Sequence, residues 1–156
     1  MKKTGIFAMA LALALSLTAC GGQDKTEGER YDTTVVEAAA EAGAFSEELE
    51  ELDGDTAFAL YKLADYGLAR EDLTDCAVLR SSGATCEEAA VLIMADSGKA
   101  AEAEKALDAY VEEQIASNTD YRPTEIPKLE NAVVDCKGST VLLLVANDMD
   151  AAEKVL

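Results

Sequence analysis

The chain has 156 residues, with 31 acidic and 13 basic side chains and no histidine. Its net charge of −18 is therefore nearly independent of pH around neutrality. A field of that sign repels nucleic acid and anionic lipid headgroups, which excludes both as default partners of the folded part. Without histidine there is no Ser-His or Cys-His nucleophile and no His-ligated zinc, and the length fits one domain with a self-supporting core.

Lys2 and Lys3 form a short positive start, Ile6 to Leu17 form an uncharged apolar run, and Leu17-Thr18-Ala19 ends in small residues before Cys20. As a helix this run rises about 18 Å, well short of the roughly 30 Å of bilayer hydrocarbon, so it suits a cleaved signal better than a permanent span. The Leu-Thr-Ala-Cys sequence at 17–20 resembles the bacterial lipobox. That resemblance implies diacylglycerol on the Cys20 sulfur and cleavage just before it. Two acyl chains give stable anchoring where one would bind only marginally. The expected location is the outer leaflet of the cell membrane, with the domain on the extracytoplasmic side. Residues 1–19 carry Lys2 and Lys3 but no acid, so removing them leaves 137 residues and takes the net charge from −18 to −20.

Four cysteines suggest a disulfide framework, but lipid on Cys20 leaves Cys76, Cys86 and Cys136, an odd number that permits at most one intrachain bridge. Gly21 to Arg30 contains no aliphatic residue, so 20–33 reads as a lipidated cysteine with a flexible tether. Ten such residues average roughly 17 Å and stretch to about 35 Å. Residues 34–156 are expected to form a single domain.

Thr34-Val35-Val36-Glu37 fits a capping box opening a helix to Ala42, with Gly43 as its stop. Ser46 is placed to cap a second short helix whose face carries Phe45, Leu49 and Leu52, ended by an Asp53-Gly54-Asp55 turn. Phe58, Leu60, Tyr61 and Leu63 continue a helical pattern to Gly67. Cys76–Arg80 and Ala89–Ala95 are strand-length apolar runs separated by turn residues Ser81–Ala84. A turn centred on Ser81 sets Cys76 opposite Cys86, the pair expected if a disulfide forms; the leading reading is small buried free thiols, and this bridge is the alternative to it. The long helix from Lys99 to Ser117 places Ala103, Leu107, Tyr110, Val111 and Ile115 on one stripe and acids on the rest.

Asn118–Pro123 breaks that helix, and Thr124–Glu130 adds a turn that tolerates Pro127 near its start. Asn131–Cys136 and Thr140–Ala146, joined by Lys137-Gly138-Ser139, form a second hairpin. Asp148 caps a tail helix. The fold class is α+β: a mostly antiparallel sheet of about four strands in two hairpins, with a long helix between them and N-terminal helices packed on it.

Most catalytic sets are absent. There is no paired-cysteine zinc spacing, no phosphate-cradling glycine loop and no Ser-x-x-Lys motif. Paired carboxylates are abundant but unspecific, so an envelope hydrolase using such a pair is the alternative to a non-enzymatic protein. Asp53 with Asp55, and Asn147 with Asp148 and Asp150, depart from the EF-hand spacing and read as turn and cap acids; neither a metal nor a cofactor is expected. Tyr61 and Tyr110 have core spacing, which leaves Tyr66 and Tyr121 as candidates for a recognition surface.

From about Ala57 to Ala146 the chain resembles a family of uncharacterised lipoproteins from clostridia-like Gram-positive bacteria, defined by a domain of unknown function. The residues that carry the resemblance are Leu60-Tyr61, Tyr66-Gly67-Leu68, and Glu87–Ala95 running through Asp96 into the acidic helix. Tyr121 and Leu129-Glu130-Asn131-Ala132-Val133-Val134 before Lys137-Gly138 complete the set. Tyr110 stands where that helix commonly carries arginine, and Thr140 where an aromatic often follows the glycine. The resemblance implies a lipobox, an extracytoplasmic α+β domain and no established activity. The expected function is a lipid-anchored accessory or binding protein, attached to the membrane through Cys20, with an envelope protein or small ligand as partner.

Overall fold

Apolar runs separated by turns pair into one antiparallel sheet. Its strands are β1 (Glu50–Glu51), β2 (Leu73–Arg80), β3 (Glu88–Met94), β4 (Val133–Lys137) and β5 (Thr140–Val145), in the order β1-β2-β3-β5-β4. The computed structural model describes residues 29–156. The apolar leader, Cys20 and the tether up to residue 28 lie outside the described residues.

β3 and β5 occupy the middle, where both faces are covered, and this explains why neither alternates apolar with polar. Val78, Ala90, Leu92, Val141 and Leu143 face the long helix α3 (Ser97–Asn118). On the same side pack α2 (Gly54–Leu60), a 3₁₀ turn at Leu63–Tyr66 and α4 (Ile126–Glu130). Ala89, Val91, Leu142 and Leu144 face the opposite side, under α1 (Thr34–Glu41) and α5 (Met149–Glu153). Leu142, Leu143 and Leu144 are fully buried, each contributing about 1.5–3 kcal/mol by burial. The α+β class is as expected. The fifth strand is the two-residue edge β1.

α3 is capped by Asp96, whose Oδ1 accepts from Lys99 N–H at 2.9 Å, and its buried stripe includes Ala103, Leu107, Tyr110 and Val111. Asp148 caps α5 in the same way.

Local signals mislead at the N-terminal end. The expected helix from Ser46 is absent: β1 pairs with Leu79 and Arg80, and Leu52 N–H donates to Val78 O. Ser46 is committed elsewhere, its N–H and hydroxyl both donating to Glu87. Phe45 and Leu52 then reach opposite sides of the sheet, which one helix face does not permit. The Asp53-Gly54-Asp55 turn starts α2 instead of ending a helix, since Asp53 Oδ1 accepts from Thr56 N–H at 2.8 Å. At α1 no Thr34–Glu37 box forms; Asp32 Oδ1 accepts from both Thr34 N–H and its hydroxyl. Tyr31, expected in the tether, is buried with the α1 side of the core.

The β2–β3 register pairs Arg80 with Glu88 and Cys76 with Leu92, so the turn centres on Ala84 rather than Ser81. Cys86 precedes β3 and does not oppose Cys76, and all three of Cys76, Cys86 and Cys136 are free thiols. The cause is Ser81: its hydroxyl accepts from Gly83 and Thr85 N–H while donating to Glu47, which holds a longer loop together.

Candidate functional site

Two adjacent glutamates, Glu87 just before β3 and Glu88 at its first position, are both buried. Glu88 is only 3 % exposed. Its Oε1 accepts from the Tyr61 hydroxyl at 2.6 Å, and its Oε2 accepts from the Tyr110 hydroxyl at 2.7 Å. Arg80, its cross-strand neighbour, brings Nε to 3.3 Å from Oε2 and also donates to the Tyr110 hydroxyl at 3.2 Å. The two tyrosine rings meet edge to face, with centroids 5.1 Å apart and planes at 84°. Burial pushes the Glu88 carboxyl up, against the pull of both tyrosine hydroxyls and Arg80. Burial and the neighbouring Glu88 push both tyrosine hydroxyls up in turn. Each carboxylate oxygen has a donor, so the group ties the C-terminal cap of α2 and the middle of α3 to the sheet.

Glu87 has a separate set of partners. It is fully buried and accepts from Ser46 N–H (2.7 Å), Ser46 hydroxyl (2.5 Å) and Lys128 Nζ (2.6 Å). Lys128 also lies 3.1 Å from Glu125, whose Oε2 accepts from Cys86 N–H. Sequence reasoning missed both glutamates. Their signal is a Glu-Glu pair opening an otherwise apolar strand.

Tyr61 and Tyr110 line a cleft of about 280 Å³ between the 3₁₀ turn and α3. Tyr66 also lines this cleft, and its mouth carries the ion pair between Lys62 Nζ and Glu113, at 2.6 and 2.9 Å to the two oxygens. Lys62 has φ 51°, the left-handed region, which costs a non-glycine residue free energy and is a feature that clusters at ligand sites. Tyr121 is 87 % exposed, beyond the C-terminus of α3. The two expected recognition residues are therefore not brought together. Arg122 secures the Tyr121 turn by donating to Asn118 Oδ1 and to the carbonyls of Gly83 and Thr85.

The remaining candidates are accounted for locally. Burial pushes the Cys76, Cys86 and Cys136 thiols up, which disfavours the reactive thiolate. Asp53 and Asp148 cap helices and Asp55 pairs with Arg70 at 2.6 Å. Among the described residues, no group of three His, Cys, Asp or Glu side chains is placed to hold a metal.

A family model described as a domain of unknown function, DUF4358, matches residues 46–146. The chain belongs to this family. The DUF4358 region spans the whole sheet with α2, α3 and α4, and includes Glu87, Glu88, the Tyr66 cleft and Tyr121. Tyr31, α1 and α5 lie outside the matched residues. No curated protein and no solved structure matches the chain.

Proposed function

We propose that this DUF4358 protein is a lipid-anchored, extracytoplasmic accessory or binding protein and not an enzyme. The observation that carries the reading is the Leu17-Thr18-Ala19-Cys20 sequence, which ends a positively started apolar run directly before a small acidic domain. Lipid on Cys20 places the protein at the outer leaflet of the cell membrane. The acidic surface avoids anionic headgroups, so membrane attachment belongs to the lipid. The partner is an envelope protein or a small ligand, met at the Tyr66 cleft or the Tyr121 turn. Support comes from the pre-formed cleft beside a strained backbone position and from an exposed aromatic held by a fixed loop. No described helix is long and apolar enough to cross a membrane.

The test is metabolic labelling of the full chain with an alkyne fatty acid, followed by membrane fractionation. Wild type is expected to carry the label and sediment with membranes, while Cys20→Ser loses the label. Unlabelled wild type, or a labelled Cys20→Ser, would reject the anchor. Turnover of a cell-wall substrate by the purified protein would reject the non-enzymatic reading.

A further inference from the structure

We infer that Arg30 and Tyr31 form a latch that fixes the point at which the anchor joins the domain, turning the β4–β5 hairpin toward the membrane and the Tyr121 turn away from it. The membrane-facing sense rests on the lipid-anchor reading; the latch itself does not.

Four contacts bind this dipeptide to one hairpin more than a hundred positions away. The Arg30 guanidinium donates to the Ser139 hydroxyl, and Tyr31 N–H donates to the buried Thr140 Oγ1 at 2.9 Å. The Tyr31 hydroxyl donates to the Asp135 carboxylate, and the Lys137 ammonium sits 4.4 Å from the Tyr31 ring centroid. Tyr31 is left 6 % exposed. A passive linker makes no such set of contacts: the ring fills a place in the core, while its N–H and hydroxyl are both satisfied by hairpin side chains. The chain between Cys20 and the domain thus ends at Arg30, not at residue 33, and its reach is at most about 35 Å.

The position of the hairpin gives the latch its consequence. Met94 N–H donates to Ser139 O, so the hairpin lies at the end of the sheet where β3 finishes and α3 begins. The loop between β2 and β3, and the Tyr121 turn that Arg122 ties to it, lie at the opposite end. The length of β3, roughly 20 Å, separates the two ends. Arg30 and Lys137 share the attachment end with Glu29, Asp96 and Asp135, so charge does not set the orientation; the tether's average reach of roughly 17 Å, shorter than the sheet, keeps this end toward the leaflet.

The full lipidated chain would be reconstituted into phosphatidylglycerol vesicles bearing a headgroup photocrosslinker, and the crosslinked peptides mapped by mass spectrometry. Crosslinks are expected at 94–98 and 137–139 in excess over 81–86 and 119–123, with the excess lost in Tyr31→Ala. Equal crosslinking of both ends in wild type overturns the orientation. Separately, trypsin cleavage after Arg30 is expected to be about tenfold faster in Tyr31→Ala than in wild type, because it requires the latch to open. Thr140→Val, which removes the acceptor of Tyr31 N–H together with the hydroxyl's own bond to Lys137 O, should give an intermediate rate, with helical circular dichroism retained in each variant. Equal cleavage rates overturn the latch. A chain that does not stay on the vesicles rejects the lipid anchor, and the trypsin comparison then decides the latch alone.

Discussion

Tyr61→Phe removes one oxygen atom and should reveal how far the core depends on Glu88. The ring stays in its edge-to-face contact with Tyr110, so packing is preserved and only the 2.6 Å hydrogen bond to Glu88 Oε1 is lost. A bond from a buried donor to a charged acceptor contributes about 1.5–3 kcal/mol, so the variant should lose about 2 kcal/mol at pH 7.5. The loss should also depend on pH. Glu88 has a raised folded-state pKa, so between its unfolded value and that raised value the folded state binds more protons and stability falls as pH rises. The Tyr61 bond favours the charged form, and its removal raises the carboxyl further and steepens that fall. At pH 5 more of the carboxyl is protonated than at pH 7.5, so the loss should be smaller there, moving toward the about 1 kcal/mol of a neutral hydrogen bond. Urea unfolding followed by circular dichroism at both pH values measures the two losses. A neutral-pH loss below about 0.5 kcal/mol, or one that does not change with pH, would refute the assignment of charge to Glu88.

Leu143→Ala opens a cavity in the middle of β5 and should cost about 2–5 kcal/mol, read as a lower urea midpoint with unchanged slope. Asp96→Ala removes the N-cap of α3 and should lower stability by about 1 kcal/mol, with Asp96→Asn recovering most of it. Alkylation of the domain unfolded without reductant should add three adducts, at Cys76, Cys86 and Cys136; a mass short by two would show a bridge between two of them. In the folded domain the same thiols should react far more slowly with a disulfide reagent at neutral pH, since burial pushes each one up.

The central layers were legible because their signals are local. Val141–Val145 and Ala89–Met94 are apolar without alternation, the α3 stripe repeats at helical spacing, and Asp148 caps the turn that follows it. The stretch from Ser46 to Leu52 was not legible, because its outcome is set by Glu87 and by the free edge of β2, both far along the chain. The Cys76–Cys86 pairing failed for a related reason: one hydroxyl, on Ser81, organises a longer loop and moves the register. Glu87 and Glu88 are invisible among 31 acids until their partners are known, and apart from Arg80 those partners lie 22 to 41 positions away. Tyr31 reads as linker in the sequence because its hydrogen-bond partners, Asp135 and Thr140, come from the other end of the chain.

The strand order has a kinetic consequence. β2 with β3, and β4 with β5, are hairpins of sequence neighbours, and such units form on the microsecond scale. β3 meets β5 only through long-range pairs such as Ile93 with Thr140, so all of α3 and α4 must fold back before the sheet is continuous. The domain is thus two fast halves joined along a slow seam in its own centre. Truncating Leu142, which lies on that seam, should speed unfolding much more than it slows folding, and chevron kinetics would show it.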